Sequence, residues 1–302
     1  MLKTLENYLI KFEYPEESHS TFISCLNDII QDAKANAVLI EIIENYKATK
    51  KLEGILEKIP LINEQIKGNE YTTAEVIFSL LTKPCLEFYK SEGLSEELWF
   101  DTMQDLKYNM LHCKDIKGIW GTFVAPWHIR FFEMTIFKLG RLQFEIVPFD
   151  ADEFRVGDKV IKRGEKVINV HIPRTLTSLS PEACEDAYSK AANFFADELK
   201  GLPTTFVCFS WLLYHENKDI LPEYSNIRKF MLRYEHIYTD YDPEGERRDA
   251  WRLFDMDYTG NVDDFPEDTS VRRAYKEHMK KGGKTGCSYG AFFYNDCSLL
   301  KR

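Results

Sequence analysis

The stretch KVINVHIPRTLTSLSPEACEDAYSKAANFF, residues 166–195, decides the fold. Its opening residues alternate, with Ile168, Val170 and Ile172 on one face and Asn169 and His171 on the other, the period of a half-buried strand. A loop rich in hydroxyls follows Pro173. Ser180 is a natural N-cap, Pro181 suits the first helical position, and Glu182, Glu185 and Asp186 complement the helix dipole before Ala187, Ala191, Phe194 and Phe195 form an apolar stripe. Next comes Thr204–Phe209, a short apolar run of the kind buried within a sheet.

Upstream, Pro126 opens a predicted helix through Ile129, Phe132, Ile136 and Leu139 that Gly140 closes. Leu142, Phe144 and Ile146 then alternate with Arg141, Gln143 and Glu145. Together with the apolar positions between Phe154 and Ile161 and the strand at 167–172, this predicts a meander of three strands. Downstream, a helix through Ile227, Phe230, Met231 and Tyr234 leads to a strand near Ile237–Thr239. A segment at Ala250–Met256, a helix at Val271–Lys281 and a strand at Tyr289–Tyr294 complete the region.

The chain before this region is patterned differently. From Ser18 to Ala48 apolar residues recur every three or four positions, the signature of an amphipathic helix. Thr72 and Glu75 form a capping-box pattern ahead of another helix, and Pro84 is expected to end or kink it. Ser95 caps a last helix with a stripe of Trp99, Met103, Leu106 and Met110. No catalytic constellation is expected here. His112 and Cys113 are sequence neighbours and point about 100° apart on a helix.

Charge divides the chain at the same place. Residues 1–115 hold 12 Lys, no Arg and 20 acidic residues, whereas residues 116–302 hold all 13 Arg with 14 Lys and 29 acidic residues. The expected domains are a helical unit at 1–118 and a mixed α/β unit at 119–302. A total of 302 residues, 44% of them hydrophobic, excludes disorder, and a net charge of −10 excludes a surface that tracks a nucleic-acid backbone. The N-terminus lacks the apolar core of a signal peptide, and no apolar run approaches the roughly 18 residues of a membrane span. Seven scattered cysteines without a CxxC pair suit reduced thiols, so a cytoplasmic protein without a membrane role is expected.

The element order of the second region is that of GNAT-type N-acyltransferases. The strings WGTFVAPWHIRFFEMTIFKLGRLQFE (120–145), VHIP (170–173), FSWLL (209–213) and SNI (225–227) resemble, over nearly the whole chain, a family of bacterial acyltransferases. That family joins a helical N-terminal domain to a GNAT-like C-terminal domain. The resemblance implies an α+β fold in which the C-terminal domain has a central, mostly antiparallel sheet. It also implies acyl-CoA as co-substrate, no metal, and a small amine as acceptor. In such a fold acyl-CoA lies where two parallel strands splay apart, here 167–172 and 204–209, with its pyrophosphate at the N-terminus of the following helix. No glycine lies between Gly164 and Gly201. Arg174, Thr175, Thr177, Ser178 and Ser180 therefore stand where a glycine-rich segment is usual, and Ser210 and Asn226 are candidates for the pantetheine arm.

Acyl transfer to an amine needs a base, a group that polarises the carbonyl and an acid for the leaving thiolate. His171 is the candidate base, or else a structural residue tying the strand end to a loop. Glu145 lies on the polar face of the first strand, either in the same cleft or paired with Arg141. Tyr289 is a candidate phenolic acid. A GNAT-like scaffold that only binds a ligand or a protein is the alternative. Two look-alike motifs carry no function. Asp255 to Gly260 starts like an EF-hand loop but reaches Pro266 at position twelve, and Gly283-Lys284-Thr285 imitates a P-loop end with His278 at the required first glycine.

Overall fold

A computed structural model of the chain describes residues 1–243 and 246–294, so Cys297 lies outside the described residues. The chain divides into two compact units, Met1–Phe137 and Lys138–Arg302.

The first unit is helical: α1 (Leu2–Lys11), α2 (Glu16–Gln31), α3 (Ala33–Thr49), α4 (Ile55–Ile66), α5 (Glu70–Ser91), α6 (Glu96–Lys117) and α7 (Ala125–Phe132). The helix expected across 18–48 is broken at Asp32. Its extended backbone turns the chain, and its carboxylate accepts the amides of Lys34 and Ala35 at 3.0 and 2.9 Å, capping α3. Asn69 caps α5 by accepting the Tyr71 amide, which leaves Thr72 and Glu75 inside the helix rather than at its start. Pro84 does not end α5. The helix is buried from Thr72 through Thr82 and again at Cys85 and Tyr89, and this packing outweighs the bond to the Leu80 carbonyl that proline cannot make.

The boundary lies beyond residue 118, because α7 buries His128, Phe131 and Phe132 in the first unit. Phe132 stacks on Phe78 with centroids 5.3 Å apart, and its carbonyl accepts the Tyr46 hydroxyl at 2.8 Å. The helix expected to reach Leu139 stops at Phe132, and Met134 adopts a left-handed conformation. Gly140, with φ +69°, belongs to a strand turn.

The second unit contains β1 (Phe137–Leu139), β2 (Leu142–Pro148), β3 (Glu153–Val156), β4 (Lys159–Lys162), β5 (Lys166–His171), α8 (Pro181–Phe194) and β6 (Thr205–Ser210). After a 3-10 turn at Trp211–Leu213 come α9 (Asn217–Ile220), α10 (Asn226–Met231), β7 (Glu235–Tyr241), α11 (Ala250–Phe254), α12 (Ser270–Lys280) and β8 (Gly286–Phe293). Among the described residues one sheet has the order β1-β2-β5-β6-β8-β7, antiparallel between β2 and β5, β6 and β8, and β8 and β7, with β5 and β6 parallel. The three-strand meander is not formed. β3 and β4 make a separate hairpin, and β2 pairs directly with β5.

Each sheet face has its own layer. On one face Phe144, Phe206 and Phe292 meet Tyr188 of α8, with ring centroids 5.0–6.3 Å apart. On the other, Val167, Val207, Tyr289, Ala291 and Phe293 pack beneath Phe154 and Ile161 of the hairpin. Between β7 and β8 the chain builds a small cluster in which Phe254 and Phe265 stack at 3.9 Å beside Tyr275 and Met279. No helix of the described residues is long and apolar enough to cross a membrane.

Among the described residues, Glu75 and His128 are buried in the first unit without an ion-pair partner. Tyr14 donates to Glu75 at 2.5 Å, yet burial pushes the Glu75 carboxyl up to about 8; burial pushes His128 down to about 3. A carboxyl kept neutral by the fold makes stability fall as pH rises from its unfolded value near 4.5 to about 8. A neutral buried imidazole makes stability fall as pH drops from 6.5 toward 3. The two slopes oppose each other where they overlap, so urea midpoints are expected to be flat from about pH 4.5 to 6.5 and to decline on either side. Glu75→Gln should remove the alkaline decline, and a wild-type profile that stays flat to pH 8.5 would contradict the account.

Candidate active site

The site grows from the register of β2 and β5. Glu145 lies opposite Asn169 and Gln143 opposite His171, so strict alternation puts four polar side chains on the face that otherwise carries Val167 and Val207. Three of them converge. Glu145 Oε1 lies 2.7 Å from His171 Nε2 and accepts Asn169 Nδ2 at 2.9 Å. The carboxylate is buried, and His171 is about a quarter exposed. With Nε2 donating to Glu145, Nδ1 is the basic atom of the ring, and the 3.1 Å between Asn169 Nδ2 and Nε2 is the approach of two donors to one oxygen.

Beside this cluster the sheet opens. The parallel ladder holds only Ile168 to Phe206 and Asn169 to Val207, after which β5 stays on β2 and β6 stays on β8. The loop from β5 to α8 is held from below by Arg141, whose guanidinium donates to the carbonyls of Pro173 and Thr177, both at 3.0 Å. The pairing of Arg141 with Glu145 is thus not formed. Burial lowers the Arg141 pKa, against an opposing effect of Cys184.

The loop candidates come together but are already engaged. The hydroxyls of Thr175 and Thr177 meet at 2.9 Å, Asn226 Nδ2 donates to Ser178 Oγ at 2.9 Å, and Ser180 Oγ accepts the Ala183 amide as the cap of α8. Arg174 reaches Asp255 at 2.5 Å, and Arg272 holds the other oxygen of the same carboxylate. That is the fate of the EF-hand look-alike. Among the described residues no three His, Cys, Asp or Glu side chains group as a metal site. Ser210 Oγ accepts the Leu212 amide, starting the turn after β6.

Tyr289 stands apart from the Glu145 cluster, opposite Phe209 on β8, and lines a pocket of about 520 Å³. Val147, Val207, Phe209 and Tyr238 line it too, and so does Asn169, which joins it to Glu145 and His171. Burial raises the Tyr289 pKa, so the phenol keeps its proton. The sequence names Asn169 only as a polar-face residue and Arg141 only as a partner for Glu145, and of the pocket aromatics it singles out Tyr289 alone. The alternation of 142–147 against 167–172 does place Asn169 beside Glu145, once the pairing of the two strands is known.

Residues 3–134 match the N-acyltransferase N-terminal domain, and residues 136–292 match the GNAT-like C-terminal domain. The chain belongs to this two-domain family. Its fold is also that of solved acyltransferases. One, in complex with decanoyl-CoA and teicoplanin, is 17% identical with a TM-score of 0.71 over 95% of this chain and 87% of that one. A mutant acyltransferase with octanoyl-CoA is 18% identical, TM-score 0.72, over 96% and 88%. An acyltransferase with CoA and 10C-teicoplanin is 16% identical, TM-score 0.65, over 96% and 99%. No curated protein matches the sequence.

In this GNAT-like domain the buried carboxylate and its amide partner should be energetically coupled. Glu145→Ala and Asn169→Ala are each expected to cost about 1–3 kcal/mol, because the first takes the shared acceptor from Asn169 and His171 and the second removes one donor to the buried carboxylate. The double variant should cost less than the two together, as measured by urea denaturation. Strict additivity would mean that the 2.9 Å contact contributes nothing.

Proposed function

We propose that this chain moves an acyl group from an acyl-CoA thioester to a small amine. The observation that supports this best is the parting of β5 and β6 just beyond Asn169 and Val207, with Glu145, Asn169 and His171 at the edge of the opening. In this reading the pantetheine arm lies between the strand ends, near Ser210. The pyrophosphate meets the N-terminus of α8 beside Arg174, Thr175, Thr177, Ser178, Ser180 and Asn226. Crystallised acyltransferases of this fold carry decanoyl-CoA, octanoyl-CoA or CoA, which supports a thioester donor. The N-acyltransferase family of the first domain supports nitrogen as the acceptor atom. Buried free thiols such as Cys85 and Cys208 fit a reducing cytoplasm.

The amine nitrogen attacks the thioester carbon, a C–N bond forms, and the amine proton passes to His171 Nδ1. Glu145 on Nε2 stabilises the imidazolium. Collapse breaks the C–S bond and releases the thiolate, which takes the former amine proton from the imidazolium to leave as the thiol. That transfer is downhill, since an imidazolium is ordinarily a stronger acid than a thiol by roughly two pKa units. Tyr289, held protonated by burial and set apart from Glu145 and His171, lines the neighbouring pocket and takes no part in the proton transfers of this reading. A binding module without turnover is the second reading, favoured by the glycine-free loop between Gly164 and Gly201.

With a primary amine and an acyl-CoA, His171→Ala is expected to lower kcat/KM by roughly 10²–10⁴-fold, the usual worth of a general base, while leaving the Kd for acyl-CoA within about threefold. Arg141→Gln should instead raise that Kd by roughly tenfold, because it frees the loop carbonyls of Pro173 and Thr177. Calorimetry showing no acyl-CoA binding at millimolar concentration rejects the proposal, and binding without transfer to any amine favours the module.

A further inference from the structure

The edge of the sheet carries a second group of polar side chains, separate from Glu145 and His171. β7 pairs with β8, and their register shifts between His236 and Tyr238. In an unbroken strand His236 and Thr239, three positions apart, would point to opposite faces. The extra residue, Ile237, returns them to the same face, opposite Gly290 and Ser288. His236 Nε2 then lies 2.8 Å from Thr239 Oγ1. His215, just past the 3-10 turn that follows β6, reaches the same oxygen with Nδ1 at 3.1 Å, and its amide donates to Ser288 Oγ at 3.2 Å.

Two imidazole nitrogens thus converge on one hydroxyl. The ring centroids are 5.6 Å apart, and two imidazoles that share a metal ion at about 2.1 Å bring their centroids to roughly 5–6 Å. Going from hydrogen-bond to metal-bond length asks each nitrogen to move by less than about 1 Å. His236 has room for that, because it is exposed on an edge strand. The far nitrogen of His215 faces Tyr241 Oη at 3.5 Å, a partner that takes the Nε2 proton and leaves the Nδ1 lone pair toward Thr239. Partial burial, and then the nearby His215, lower the His236 pKa, which keeps that ring neutral and able to ligate.

The donor set says which ion. The acids of β7, Glu235 and Asp240, lie opposite Ala291 and Cys287 and so face the other side of the sheet. Two imidazoles with a hydroxyl suit zinc, nickel or copper, whereas magnesium and calcium need sets of oxygen ligands. We infer that His215 Nδ1 and His236 Nε2 bind a divalent transition-metal ion of that class, with Thr239 Oγ1 or water completing its shell, and that the ion fastens β7 to the turn after β6. The ion binds whether or not the chain takes acyl-CoA.

Titration calorimetry of the chelator-treated full chain with zinc, nickel and magnesium chlorides tests it. The expected result is one bound zinc or nickel and no magnesium, with a higher Tm in zinc. His236→Gln and His215→Asn put a side-chain amide where the ligating nitrogen was, so each keeps a hydrogen bond to Thr239 and melts close to wild type without metal. Each should weaken zinc binding at least tenfold, since even the loss of an outer partner of a ligand costs about 10–100-fold. His19→Gln, in the helical unit, should bind zinc as wild type does. With copper(II) the wild-type EPR spectrum should show two coordinated nitrogens, a check that holds even where a variant fails to fold. Zinc binding that survives both the His215 and His236 variants, magnesium binding as tight as zinc, or a copper spectrum without two nitrogens overturns the inference. So does the absence of zinc and nickel binding by the wild type.

Discussion

The second unit is organised by one short contact, the two residue pairs that join β5 to β6 in parallel. Parallel neighbours need a long crossover, and here it is the loop 172–180, α8 and the return to Thr205. α8 therefore starts at the C-terminal end of β5. Its first turn, a positive pole, then lies at the same end of the sheet as the opening between the strands. A longer ladder would close that opening, and no ladder would divide the sheet. Each strand is instead held on its outer side for its full length, β5 by β2 and β6 by β8, so the gap costs little order.

The two faces divide the remaining work. The face under α8 is a continuous aromatic layer, rigid enough to hold both strand ends in place. The opposite face mixes an apolar floor with the Glu145, Asn169 and His171 cluster. Burying a carboxylate there is costly, and its two donors offset that cost only while both strands keep their register. A one-residue slip of β5 against β2 would carry Asn169 and His171 into the aromatic layer and leave Glu145 alone. The polar cluster thus makes the register of β2 and β5 a condition of the fold as well as of the site.

How much was legible follows from how local each signal is. Ser95, Ser180 and Pro181 mark helix starts correctly because caps act within three residues. Alternation put Glu145 and His171 on polar faces for the same reason. The helix expected across 18–48 hid a break, since the cap at Asp32 interrupts the chain without interrupting its apolar period. Thr72 and Glu75 fit a capping box and yet lie buried, because Tyr14, sixty-one residues away, supplies the donor that makes burial of Glu75 tolerable. Pro84 and the end of α7 were decided by tertiary packing. The hairpin of β3 and β4 was read as a sheet strand because a strand's apolar period does not name its partner. Arg174 was a phosphate candidate by position, and the acid that holds it lies eighty-one residues on.

The missing glycines have a physical substitute. Glycine-rich phosphate loops work by turning backbone amides toward the anion. In a planar trans peptide the carbonyl of one residue and the amide of the next point in opposite directions. Arg141 draws the carbonyls of Pro173 and Thr177 to its guanidinium, so the amides of Arg174 and Ser178 are turned away from it, toward the outer side of the loop. A half-buried arginine beneath the loop thereby orients the donors that glycine would otherwise free. The other arginines of this region do less for an anion than their number suggests. Arg174 and Arg272 share Asp255, and Arg248 is bound to Asp240 and Asp242. On the acyl-CoA reading proposed above, recognition of the pyrophosphate would rest on backbone geometry set by Arg141 and on the dipole of α8, and less on the charge of the surrounding surface.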